Sequence, residues 1–120
     1  MKYAKYPNIS PAPKAGKYIL TNSIGYRWEK TFILVKKGLV TDGASIPRIC
    51  WTTTGSPFLP SYIRAAIIHD YLYKTQKIPR KTVDGIFRDI LKEDGVSFYQ
   101  RSKMYWALRS FGWFMWRSKK

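Results

Sequence analysis

Apolar and polar positions alternate or cluster in short runs between Lys17 and Thr41, the signature of strands. Tyr18-Ile19-Leu20 predicts a short strand and Asn22-Ser23-Ile24-Gly25 a turn. Tyr26-Arg27-Trp28-Glu29 alternates as a half-buried strand does, and Phe32-Ile33-Leu34-Val35 is a continuous β-prone run. Lys36-Lys37-Gly38 turns the chain, and Leu39-Val40-Thr41 returns along it. From Thr41 to Pro60 the periodicity is lost, and Asp42-Gly43, Pro47, Gly55, Pro57 and Pro60 punctuate a loop.

The period then changes to that of helices. A first helix is predicted from about Ser61, a plausible N-cap after Pro60, to about Tyr73. Ile63, Ala66 and Ile67 cover one side and Ala65, Ile68 and Leu72 the other, so this helix should be central and buried. A second is predicted from about Arg80 to Glu93, where Val83, Ile86, Phe87, Ile90 and Leu91 form an apolar stripe and Gly95 stops it. A third starts near Ser97 and reaches Trp116, with Tyr105, Leu108, Phe111 and Met115 as its inward stripe and Trp106 and Trp113 beside it. Residues 1–16, with Pro7, Pro11 and Pro13, read as an extended arm. The expected architecture is α+β: after the arm, residues 17–120 form one domain, a small N-terminal antiparallel sheet followed by three helices.

Composition narrows the chemistry. The chain has 22 Lys+Arg against 7 Asp+Glu, a net charge of +15. That favours an anionic partner: a membrane surface, a nucleic acid or an acidic virion protein. A single cysteine, Cys50, excludes an intrachain disulfide framework, and with one histidine it cannot build a His/Cys zinc site. P-loop and dinucleotide glycine patterns are absent. No apolar leader region or membrane-spanning run is visible, and Arg109 breaks the most apolar C-terminal stretch. A soluble protein with no signal peptide is expected, made in a reducing compartment.

Ala65-Ala66-Ile67-Ile68-His69-Asp70-Tyr71-Leu72-Tyr73 holds the chain's only histidine beside one of its few acids. A buried charge needs a partner. His69 and Asp70 diverge by about 100° around a helix, so each must find its partner elsewhere, whereas His69 and Tyr73 share a face. Asp84 on the second helix is the natural partner for His69. A carboxylate on one imidazole nitrogen fixes the tautomer and leaves the other nitrogen as a base. Such a couple could activate water or a nucleophile such as Ser45 or Cys50; the alternative is a buried His/Asp/Tyr network that fixes the fold. Asp42, in the Asp-Gly turn, either caps its own loop or, like Ser45, faces His69. A carboxylate-only calcium or magnesium site from Asp42, Asp70 and Asp84 is also open. In the third helix Trp106, Arg109, Trp113 and Arg117 interleave cations with aromatics, suiting an anionic membrane face or single-stranded nucleic acid; the competing expectation is a helix packed on its own core.

The ordered set Thr41-Asp42-Gly43-Ala44-Ser45-Ile46-Pro47-Arg48, Ala66-Ile67-Ile68-His69-Asp70-Tyr71-Leu72-Tyr73, Arg80, Val83-Asp84-Gly85-Ile86-Phe87, Met104-Tyr105 and Phe111-Gly112 resembles a phage- and prophage-associated family of unknown function. The resemblance covers about residues 15–116 and implies a bacteriophage accessory protein, in the virion or the host cytoplasm, without bringing an activity. Within it, His69-Asp70-x-x-Tyr73 with the later Asp84 is similar to the helix pair of secreted phospholipases A2. That likeness implies His69 as base, Asp70 as calcium ligand, and Tyr73 and Asp84 as supports. The glycine- and cysteine-rich calcium loop and the disulfides of those enzymes have no counterpart here. Two function classes result: a hydrolase-like site at His69, acting at the envelope or membrane, or a non-catalytic virion or assembly protein with a basic contact surface.

Overall fold

The computed structural model describes residues 3–13, 17–41 and 61–118. The chain divides into two compact units, Met1–Asp42 and Gly43–Lys120.

Among its described residues the first unit has five short strands: β1 (Ile9–Pro11), β2 (Tyr18–Leu20), β3 (Ile24–Trp28), β4 (Thr31–Val35) and β5 (Val40–Thr41). They form two antiparallel sheets, β1-β2-β5 and the hairpin β3-β4. In the hairpin Ile24 faces Val35 and Tyr26 faces Ile33. Ile24, Ile33 and Val35 are all buried, so the two-residue period does place one face inward.

Three expectations change in this unit. The 1–16 stretch contributes β1, whose Ile9 pairs with Leu20. Ile24 and Gly25 belong to a strand and not to a turn. The Lys36-Lys37-Gly38 turn does not fold β5 back onto β4; Val40 and Thr41 pair with Ile19 and Tyr18. Asn22 helps seat the N-terminal segment, accepting from the Asn8 N–H at 2.7 Å and donating to the Tyr6 carbonyl at 3.2 Å.

The second unit contains α1 (Ile63–Thr75), α2 (Arg80–Glu93) and α3 (Phe98–Ser118) among the described residues. Helix α2 packs against both others. Helix α1 is buried around its girth, as its two-sided apolar pattern requires, and carries Arg64, His69 and Asp70 inside with the aliphatics. Ser61 does not cap it: Tyr62 holds the N-cap position, without a side-chain cap bond. Helix α2 has the predicted bounds. Pro79 precedes it, and Gly95, at φ +90°, takes the left-handed position after it. Helix α3 departs from its predicted stripe. Its buried residues are Met104, Tyr105, Leu108 and Gly112, while Phe111 is exposed.

Candidate functional site

Asp84 lies one turn into α2, buried completely, and its carboxylate gathers donors from all three helices. From α1, His69 Nε2 sits 3.0 Å and the Tyr73 hydroxyl 2.8 Å from Oδ1. From α3, the Arg109 guanidinium donates to Oδ2 at 3.0 Å. Arg80, one helical turn before Asp84, approaches Oδ2 at 3.4 Å and also donates to the Leu108 carbonyl at 2.9 Å. Residues four apart share a helix face, which is why Arg80 meets Asp84 and His69 meets Tyr73. The His69 and Tyr73 rings lie 4.1 Å apart between centroids, and Phe87 closes on His69 edge-on at 5.1 Å.

Burial alone would raise the Asp84 carboxyl, since it penalises the charged form. The hydrogen bond and charge of His69, with the bonds from Tyr73 and Arg109, outweigh it and hold the group below its usual range. Burial and the neighbouring carboxylate push the Tyr73 phenol well up, against Arg80, so this hydroxyl remains a donor. An ionised carboxylate only accepts hydrogen bonds. In either charge state of the imidazole, Nε2 therefore carries the proton toward Asp84; when the ring is neutral, Nδ1 holds the lone pair.

Gly112 makes the arrangement sterically possible. A Cβ built there would stand 2.6 Å from the Tyr73 hydroxyl and 3.1 Å from Arg80 Nη1. The end of α3 is fixed to α1 by the Trp116 ring, edge-on to Tyr73 at 5.0 Å, and by a Gln76 side-chain bond to the Trp116 carbonyl.

Of the residues named from sequence, His69, Tyr73 and Asp84 come together. Asp70 does not join them. It is buried on another face of α1, with Lys74 Nζ 3.2 Å from Oδ2. Among the described residues no three His, Cys, Asp or Glu side chains form a group able to hold a metal ion. Asp42, Ser45 and Cys50 lie outside the described residues. Arg109 leaves the proposed anionic contact set for Asp84, to which it donates from α3 at 3.0 Å. Arg80, named in the motif set without a role, enters the site four residues before Asp84. A second buried ion cluster was also missed: Arg64, 1% exposed, holds Asp94 through two bonds of 3.0 and 2.8 Å and reaches Glu93 at 3.0 Å. An arginine in the first turn of a helix that continues as an apolar run was its signal.

Residues 18–108 match the family model described as "Protein of unknown function (DUF1353)". Two relatives come from Sinorhizobium fredii. The uncharacterized protein y4jT is 33% identical over 88 residues, which are 73% of this chain and 25% of that protein. The uncharacterized protein y4iH is 30% identical over 95 residues, 79% of this chain and 37% of that protein. The chain thus spans well under half the length of either relative. No solved structure matches.

Proposed function

The chain belongs to DUF1353, a family of unknown function, and on that footing we propose that its helical unit carries a hydrolase-type general-base site. His69 is the base, Asp84 orients it, and Tyr73, Arg80 and Arg109 keep Asp84 anionic. The observation that carries this reading is the pair of bonds on Asp84 Oδ1, 3.0 Å from His69 Nε2 and 2.8 Å from the Tyr73 hydroxyl. That pair supports Nε2 as the nitrogen turned to the carboxylate and Nδ1 as the accepting nitrogen of the neutral ring. A water proton passes to Nδ1 as the water oxygen attacks the ester carbonyl carbon, the imidazolium formed is stabilised through Nε2–H by Asp84, and as the ester C–O bond breaks the departing alkoxide takes the proton back from Nδ1. The similarity of the His69, Tyr73 and Asp84 set to secreted phospholipases A2 makes a carboxylic ester the first substrate class to try. The ordered motifs support a phage accessory role for the protein.

A second reading is favoured by one specific observation: His69 is only 1% exposed. An enclosed imidazole suits a structural clasp that locks α1 to α2. His69→Ala separates the two. The assay follows hydrolysis of p-nitrophenyl acetate and of phosphatidylglycerol vesicles, alongside thermal melting. Loss of a general base lowers the rate by about 10²–10⁴-fold with little change in melting. Turnover by the wild type no greater than by the variant, with melting lowered by several degrees, refutes the catalytic reading and leaves the clasp.

A further inference from the structure

The face of α3 turned away from its buried stripe is aromatic. Met104, Tyr105, Leu108 and Gly112 point inward. On the opposite side Tyr99, Trp106 and Trp113 follow one another at seven-residue spacing and are 70%, 64% and 43% exposed. Phe114, at the edge of the same face, is 67% exposed. A helix rises about 1.5 Å per residue, so the three aligned rings cover roughly 21 Å of helix. Large aromatic side chains are usually drawn inside, and a contiguous exposed row of them marks an interaction surface.

The cations on this face are placed among the rings. Lys103 Nζ lies 5.1 Å from the Tyr99 ring centre, and the Arg117 guanidinium 5.8 Å from that of Trp113. No acidic residue occurs between Phe98 and Ser118, in a chain of net charge +15. A second copy laid against this face would bring like charges together. Successive rings on the row stand about 10 Å apart, too far for bases of one strand to stack on each in turn, and the face is a convex helix rather than a groove. A planar anionic surface meets the whole row at once. Its headgroups take the cations while the ring faces enter the boundary beneath them.

We propose that this face of α3, through Tyr99, Lys103, Trp106, Trp113, Phe114 and Arg117, docks the protein on anionic lipid bilayers, lying along the surface without crossing it. In the described residues no helix is long and apolar enough to span a membrane. The proposal rests on the exposed face alone and stands whether or not His69 is catalytic.

The test is sedimentation of the full chain with phosphatidylglycerol/phosphatidylcholine vesicles and with pure phosphatidylcholine vesicles, at low and high salt. Tryptophan emission provides a second readout. Binding to the anionic vesicles, weakened by salt and accompanied by a blue shift, is expected. Each cation removed, by Lys103→Ser or Arg117→Ser, lowers affinity about fivefold. Each ring removed, by Trp106→Ala or Trp113→Ala, lowers it roughly tenfold, for ~55 Å² of apolar surface at about 25 cal/mol per Å². Lys36→Ser with Lys37→Ser, on the first unit, removes twice the charge of either single variant and leaves the blue shift in place. Circular dichroism confirms that the exposed-site variants fold. Three results overturn the proposal: no binding to anionic vesicles, equal binding by the Trp106→Ala/Trp113→Ala variant, or use of these residues for single-stranded DNA or self-association in preference to vesicles.

Discussion

Replacing Asp84 by Asn tests the centre of the helical unit with almost no change of shape. The amide oxygen can still accept from His69 and Tyr73. Its nitrogen, a donor, then faces the Arg109 and Arg80 guanidiniums, which lose their countercharge. Removing one partner of a buried ion pair costs about 3–5 kcal/mol. Arg80 and Arg109 are 18% and 24% exposed, so water relieves them in part and the lower end, about 3 kcal/mol, is the expectation. For a chain of this length that is roughly 10–20 °C in melting temperature. The pH dependence fixes the cause. Asp84 is held below its usual range when folded, so the unfolded chain binds its proton first as pH falls. The stabilisation is complete above the unfolded value, near 3.9, and is lost as pH drops through the folded one. Calorimetry at pH 7 should show the full gap between wild type and variant, and the gap should narrow below about pH 4. A variant melting within about 1 kcal/mol of wild type at pH 7, or a gap that widens in acid, would falsify the account of Asp84 as the anionic hub.

Two further substitutions probe packing and the second ion cluster. Gly→Ala inside a helix ordinarily stabilises by about 1 kcal/mol, but Gly112→Ala should destabilise by about 1–3 kcal/mol, because its Cβ meets the Tyr73 hydroxyl and Arg80; a urea midpoint at or above wild type would contradict this. Arg64→Lys keeps the charge but loses the planar fork on Asp94, so a loss of about 1–2 kcal/mol in urea unfolding is expected, and no loss would mean that the two bonds contribute nothing beyond charge.

Where one physical signal ruled locally, the sequence was readable. Helix α2 has a clean apolar stripe between Pro79 and Gly95, and its bounds came out as expected. His69, Tyr73 and Asp84 were legible as partners because buried polar groups need one another and few candidates existed. Other features depended on tertiary choices. Phe111 was expected inside as an aromatic in an apolar run, yet the inward slot went to Gly112, since the Tyr73 hydroxyl and Arg80 occupy that space. The β2-β5 pairing joins strands separated by a whole hairpin, which no local turn signal encodes. Arg109 looked like a surface cation in a basic tail, and only the fold shows that it faces Asp84. The roles of Asp42 and Ser45 lie outside the described residues.

The single carboxylate at the centre also governs how the helical unit comes apart. Its donors are His69 and Tyr73 from α1, Arg80 from α2 and Arg109 from α3. Lifting any one of these helices both strips a partner from a fully buried charge and uncovers the apolar core around it, so partial opening is nearly as costly as complete opening. Backbone amides around Leu72, Phe87 and Leu108 should then exchange with deuterium together, at a rate set by global unfolding, while the stretch of α3 past Trp116 exchanges sooner. Three helices joined by short connections behave as one cooperative block because they share one apolar core and, at its centre, one negative charge.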